Sequence, residues 1–457
     1  HDLSIRGKTE NVGYFASVGY VAEEGYIKND QYQKYNIRLN LDWDVTDWMS
    51  WELESFLASS DHSGIEPGFI FRIFPEAPPK RDGEYVMEAG GTTLNPFLQM
   101  ESEDFDKRLN LVGNAHVNID VPFIEGLNYE FTYSNNYRHN HRLRFDPYGA
   151  GYIGSGSTGH TYSENWSADN LINYKRGFGN HEFDLTLLYG VEDIVDQHSN
   201  ASAVDFASSL LGYNKLEAGD PTRNSVSTGK SAETSLYQMA RLNYNYRGKY
   251  LLTGTIRRDG FSGFGPENKI GYFPSGALGW IISEESFFQV DWIDYLKIRS
   301  SYGATGRRAV NRYQTLARLS REIAYIFGDG GSPVYGQSVS SMANQNLGWE
   351  KTTGINIGLD FRILNARLRG SIDYYNNNTS DILYNIQLPQ ITGFGSIPKN
   401  ISKVHNHGIE ASITGDIIQS SQFNWQTTFN FSRNRNEIKK LIGFGDLVAN
   451  ELFIGEP

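Results

Sequence analysis

Two short stretches set histidines two residues apart: His139 and His141 in "HNHR", and His405 and His407 in "VHNHGIE". On a strand that spacing puts both rings on one face. Two imidazoles can begin a zinc, copper or nickel site, which closes only with a third or fourth ligand. No further ligand follows either pair at a suitable spacing, so no metal site is expected. "GFSGFG", Gly260 to Gly265, has the glycines of a phosphate-cradling loop but lacks the Lys-Ser/Thr pair and a following helix pattern, so it reads as a turn. Aspartate and glutamate total 53. Nothing in their order fixes two carboxyls at the roughly 5 Å or 6.5 to 9.5 Å that a glycosidase needs. No catalytic residue and no cofactor are expected.

Binding asks for less. Aromatic rings stack on many partners, while amides and carboxylates fix orientation. The residues placed for such contacts are Tyr148 and Tyr152 in "FDPYGAGYIG", Trp349 in "NLGWEK" and Phe394 in "TGFG", all on stretches that read as long loops. Loop packing is the competing role for each of them.

The elements that hold these residues are strands. In "FNWQTTFNFS", Phe423, Trp425, Thr427, Phe429 and Phe431 alternate with Asn424, Gln426, Thr428, Asn430 and Ser432, a period of two. Tyr35, Ile37, Leu39, Leu41, Trp43 and Val45 alternate with polar residues over eleven positions. That is long for a soluble strand and right for a tilted membrane strand of about 9 to 11 residues. The pattern recurs at Leu111 to Ile119, Leu127 to Tyr133, Phe183 to Tyr189, Thr353 to Phe361, Leu368 to Tyr374 and Ile409 to Ile413, about sixteen segments in all.

Composition agrees with an all-β chain. Among 457 residues, 14% are aromatic and 47 are glycine, and the charge is −12. An acidic chain with no clustered Lys and Arg is a poor partner for nucleic acid. Cysteine is absent, which excludes disulfides and thiolate metal sites. No run of about 18 apolar residues offers a membrane helix. The polar mean hydropathy does not exclude a membrane barrel, whose lipid-facing and lumen-facing residues alternate.

The connections separate a soluble sandwich from a barrel. Tight links are expected near Thr46 to Ser50, Pro122 to Gly126, Arg176 to Asn180, Arg247 to Gly248, Asn365 to Ala366 and Asp416 to Gln422. Long links are expected near Asp61 to Lys107, Asn135 to Glu164, Asp193 to Glu233, Thr305 to Glu350 and Asn376 to Ser402. Short and long mostly take turns, as on a barrel with short periplasmic turns and long outer loops. Trp43, Trp48 and Trp51 bracket one short link, Tyr246 and Tyr250 another, and Trp292 with Tyr295 a third, while Trp425 lies just past a fourth. Amphipathic rings at strand ends form the interfacial girdle of such a barrel.

From Arg257 the chain reads "RRDGFSGFGPENKIGYFPSGALGWIISEE", "IDYLKIRSSYGATG", "NLGWEKTTGINIGLDF", "LRGSIDYYNNNTSDILYN", "TGFGSIPKNISKVHNHGIEASI" and "FNWQTTFNFSRNRNEIKKL". These phrases, in this order, resemble the barrel of the SusC/RagA-like branch of TonB-dependent outer-membrane transporters. The earlier "HDLSIRGKTENVGYFASVGYVAEEGY" and "YNIRLNLDWDVTDWMSWEL" resemble its first hairpins, so the likeness spans nearly the whole chain. The resemblance implies a transmembrane antiparallel barrel of about 22 strands around an N-terminal plug. It also implies import of oligosaccharides or oligopeptides across the outer membrane of a Gram-negative, Bacteroidetes-type bacterium. Its partners would be TonB and a SusD-like surface lipoprotein that closes as a lid. Within the family "VxNxGIE" is a recurring phrase, so His405 and His407 read as tolerated choices at a strand start. "GWEK" and "TGFG" recur too, which gives Trp349 and Phe394 structural duty. About sixteen strands and no plug are visible, so residues 1–457 are expected to be part of one barrel domain, with plug and C-terminal strands outside this sequence. Two other readings stay open: a passive porin or surface adhesin on the same barrel, and a soluble all-β enzyme or binding module whose apolar rows meet in a core.

Overall fold

The structure, a computed structural model, describes residues 1–25, 30–64, 78, 80–86, 95–150, 152–328, 331, 333–441, 445–447 and 451–457. Its first strands are β1 (Asp2–Lys8), β2 (Val12–Glu24), β3 (Gln31–Thr46) and β4 (Met49–Asp61), followed by the two-residue β5 (Lys80–Arg81) and β6 (Glu84–Tyr85) and a single turn of helix, Pro96–Gln99. Then come β7 (Glu103–Asp120), β8 (Leu127–Gly149), β9 (Tyr152–Phe178), β10 (His181–Val204), β11 (Ser225–Tyr246), β12 (Tyr250–Phe261), β13 (Ile270–Ile281) and β14 (Ile293–Arg307). The chain continues through β15 (Arg318–Ile326), β16 (Pro333–Ser341), β17 (Glu350–Ile363), β18 (Leu368–Gln387), β19 (Ser396–Gln419) and β20 (Asn424–Lys440). Sixteen strands form one sheet in chain order, while β5 with β6 and β15 with β16 make separate hairpins. All six expected short links fall at junctions between consecutive sheet strands.

The chain divides into two compact units. The first holds residues 1–119, 130–169 and 192–232. In it β1 to β4 and β7 pair antiparallel in unbroken order, and Tyr35, Ile37, Leu39, Leu41 and Trp43 oppose Ser59, Leu57, Ser55, Leu53 and Trp51. Directly opposed residues share a face, so the alternation in β3 is also the alternation of its neighbour. The buried core of this unit is small: Phe145, Ala203 and Phe206, with Tyr213 and Leu216 packed against it. The Phe145 and Phe206 rings meet edge to face at 5.1 Å.

The second unit holds residues 120–129, 170–191 and 233–457. Its link from β11 to β12 has Arg247 and Gly248 at φ 57° and 68°, a left-handed pair whose twist suits adjoining strands. Its buried cluster is Phe261, Phe264, Val310 and Leu347, with Trp349 and Leu383 against it. Gly265 belongs to this packing: a Cβ there would lie 1.6 Å from the Gln345 carbonyl oxygen. "GFSGFG" is thus the end of β12 and a turn, and its last glycine serves close backbone approach.

The strands are longer than the alternation suggests. β8, β9, β10 and β11 have 23, 27, 24 and 22 residues, so most of the stretch 135–164 and the flanks of 193–233 are strand where loop was expected. The reason lies in composition. Residues such as Gly154 to Gly159, "GSGSTG", have low strand propensity, yet cross-strand hydrogen bonding overrides it. Beyond the bilayer neither face has to be apolar, so the period-two signal fades while the ladder continues. The link Asp61 to Lys107 lies partly outside the described residues, and Thr305 to Glu350 contains β15 and β16.

Candidate functional site

The ends of the strands away from the short links carry the groups that could meet a solute. Tyr148 is the penultimate residue of β8 and Tyr152 opens β9, the next strand in the sheet. Gly149 and Ala150 take φ 126° and 45° there, and Gly154 takes 72°. The Tyr148 ring is exposed, and its backbone N–H donates to Ser209 Oγ at 3.3 Å. Beside it, Arg144 donates to both carboxylate oxygens of Asp146, and Ser155 Oγ donates to the same carboxylate at 3.0 Å. Burial, and secondarily the nearby Asp146 charge, pushes the Tyr152 phenol up, so Tyr152 stays a neutral donor.

In the same unit a cavity of about 730 Å³ opens among the ends of β2, β3 and β7 and the short helical turn Gly212–Asn214. Glu24, Asp30, Glu103 and Asp104 face it together with Phe105 and Tyr213. Asp104 is held by Arg142, whose Nε and Nη2 donate to it at 3.2 and 2.8 Å. Arg108 is bidentate on Asp106 at 3.0 and 2.7 Å, and that hydrogen bonding holds the Asp106 carboxyl below its usual range. Among the described residues, no cation commits Glu24 or Asp30 in this way through an ion pair. Carboxylates next to two aromatic faces suit sugar hydroxyls, amides or ammonium groups.

Trp349 and Phe394 are placed differently. Trp349 packs on Phe264 and Phe273 at 4.9 and 5.4 Å between ring centres, and its Nε1 donates to the Lys269 carbonyl at 3.4 Å. It belongs to the hydrophobic cluster of its unit. Phe394 lies half-buried in the link from β18 to β19, where its N–H donates to Thr392 Oγ1 at 3.3 Å and its carbonyl accepts from the same hydroxyl at 3.2 Å. The four aromatic candidates therefore do not form one group.

The first histidine pair has a neighbour that spacing did not reveal. His160 on β9 stacks on His141 at 4.2 Å and on His139 at 5.8 Å, and Tyr162 stacks on His139 at 4.4 Å. The hairpin tip near residue 150 was the usable signal, because it folds β9 back along β8. Burial is the main force lowering the His139 and His141 imidazoles below their usual range, with the His160 ring adding to it. Both lie beyond the first eleven residues of β8 from its short link, outside the span that crosses a bilayer. The rings are nearly parallel, so their nitrogens do not converge. Among the described residues no group of three or more His, Cys, Asp or Glu could hold a metal ion. His405 and His407 stack on each other at 4.8 Å.

Near the short links, Trp43 opposes Trp51 and Tyr246 opposes Tyr250, with ring centres 6.5 and 6.2 Å apart. Trp280 extends the second pair by stacking on Tyr250 at 6.5 Å. Trp48, Trp292 and Trp425 are exposed at the same ends of their strands. Tyr295 departs from the pattern. Plain alternation puts it on the face of Lys297 and Arg299, where Arg362 stands 4.7 Å over its ring, and the bulge between Ile293 and Tyr295 sets it apart from Ile293. On that polar face Arg299 is bound by Asp360 and Asp373.

Residues 82–452 match the family model described as TonB dependent receptor-like, β-barrel. The chain is 31% identical to TonB-dependent receptor P3 of Formosa agariphila over 97% of its own length and 46% of that protein. It is 33% identical to TonB-dependent receptor SusC of Bacteroides thetaiotaomicron over 77% of its length and 35% of that relative. The chain thus spans about half or less of the curated relatives it matches. Its fold is similar to a chain of the RagAB peptide importer in the "closed-closed" state, with a TM-score of 0.82 at 22% identity, over 100% of this chain and 53% of that one.

Proposed function

Because the chain belongs to the TonB dependent receptor-like β-barrel family, we propose that it is the barrel part of an outer-membrane importer energised through TonB. The cargo is an oligosaccharide or oligopeptide, taken up with a SusD-like surface lipoprotein that closes over the mouth, in a Bacteroidetes-type bacterium. Kinship with the TonB-dependent receptors P3 and SusC supports import energised through TonB, and the fold shared with the RagAB peptide importer is consistent with a peptide as one of the two cargo classes. Within this reading the apolar rows meet lipid, the polar face meets a plug, and the plug and C-terminal strands belong to the longer parent protein.

The observation that carries the proposal is the placement of an acid-lined, aromatic-edged cavity at the outer ends of strands whose inner ends bear the tryptophan pair. The cargo contacts are Tyr148 and Tyr152 at the hairpin tip, with Glu24 and Asp30 in the cavity. Trp349 serves the packing of its own unit, and Phe394 belongs to the Thr392 turn in the link from β18 to β19.

The test is uptake by the native host with and without TonB, together with intact mass and co-purified proteins from detergent-extracted membranes. Uptake that stops without TonB, and a co-purifying lipoprotein, are expected. Uptake that continues without TonB makes the barrel a passive pore.

A further inference from the structure

On one face of β17 to β20, paired residues form successive cross-strand rows. Phe361, Gly370, Ile413 and Phe429 make one row, and Leu359, Ile372, Ala411 and Phe431 the next. One step outward the row is Ile357, Tyr374, Ile409 and Arg433, and then Ile355, Asn376, His407 and Arg435. On β20 the face changes from phenylalanine to arginine in a single step.

That step falls at a definite depth. β20 begins at Asn424 beside its short link, so Arg433 and Arg435 are its tenth and twelfth residues. A tilted strand of about 9 to 11 residues has by then crossed the hydrocarbon. Both arginines are exposed, and among the described residues no carboxylate lies within ion-pair reach of either guanidinium. Glu437, the acid of the following row, is engaged by Lys439 at 2.6 Å. Two residues apart on one face, the arginines stand about 7 Å from each other along the strand, close enough for their planar forks to share one phosphate.

We infer that Arg433 and Arg435, with His407 beside them, hold the phosphate of an outer-leaflet lipid whose acyl chains lie along Phe429, Phe431 and Ile413. This rests on the reading that the apolar rows face lipid. An amphiphile is indicated over free phosphate because the cations are continuous with an exposed apolar face. Basic clusters at a membrane surface hold anionic head groups in this way.

The experiment is native mass spectrometry of the intact protein purified from membranes and exchanged into neutral detergent. Diphosphoryl lipid A is titrated against its dephosphorylated form. The phosphorylated lipid is expected to bind, and R433Q/R435Q to weaken it by about tenfold or more. The Lys107→Gln control is expected to change nothing. R433K/R435K keeps the charge but loses the planar forks and is expected to bind between wild type and R433Q/R435Q, which covers the case of a double variant that folds poorly. Equal binding of both lipids, equal binding by wild type and R433Q/R435Q, or displacement by millimolar inorganic phosphate overturns the inference. The underlying reading has its own readout: Phe431→Trp fluorescence should be quenched by brominated acyl chains. Its failure to quench would overturn the lipid-facing assignment itself, and quenching without phosphate selectivity would overturn only the phosphate site.

Discussion

Arg299 and Asp373 lie on strands that are not neighbours, yet they meet at 2.7 Å across the intervening β17. Asp360, on β17 itself, lies 3.1 Å from the same guanidinium, so one cation fastens three strands on their polar face. Arg299→Met removes the cation that binds both carboxylates and leaves Asp360 only Lys297 opposite it. The groups are partly solvated, which discounts the loss to about 1–3 kcal/mol. Thermal unfolding in detergent should show this drop, and adding D360N/D373N should recover most of it. Simple additivity of the substitutions would show that the residues are not coupled.

Leu39 and Asn40 are adjacent on β3 but belong to opposite faces, opposing Ser55 and Glu54. Leu39→Lys should cost about 2–4 kcal/mol when the protein folds into vesicles, the penalty for a cation near the middle of the lipid face. Asn40→Lys, next to Glu54, should be close to neutral. Equal effects would remove the facial assignment.

Gly265→Ala forces a methyl group against the Gln345 carbonyl beside the Phe264 and Leu347 packing. A loss of about 1–3 kcal/mol is expected from the displaced backbone. Faster proteolysis within 308–349 under native conditions is the accompanying sign.

His139 and His141 are held neutral by burial, with pKa values below that of the unfolded chain. Their contribution to stability is present above about pH 6.5 and is lost on acidification, because the unfolded chain takes up protons first. Hydrogen exchange in the outer parts of β8 and β9, corrected for intrinsic rates, should be faster at pH 5 than at pH 7.5. H139N/H141N should abolish most of the difference.

Tyr148→Ala and Tyr152→Ala should each weaken cargo binding by about 0.5–1.5 kcal/mol, the usual worth of an aromatic contact. Calorimetry on the intact protein with its cargo checks this. The Trp349→Ala substitution should instead lower the unfolding temperature, because that ring lies in the packing with Phe264 and Phe273.

The strands were legible because one row of residues had to be apolar over the bilayer. Tyr35 to Val45 shows that constraint directly. It lapses beyond the lipid, which is why the hydrogen-bonded run through Gly154 and Gly159 read as loop. Tyr295 is a different case: alternation gives it the parity of Lys297 and Arg299, which its aromatic type and its place beside a short link obscured. The cavity was invisible because Glu24, Asp30 and Glu103 come from three different strand ends. His160 could be joined to His139 and His141 only by locating the tip at residue 150.

β9 alone has 27 residues, about 90 Å of extended chain, of which a crossing uses well under half. The outer portion of this wall is laddered strand, so a lengthening on one side must be matched by the strand that pairs with it. New preferences for cargo are therefore reached more readily by exchanging single side chains on an existing face than by inserting residues. In this part of the molecule, specificity would diverge among descendants at constant length.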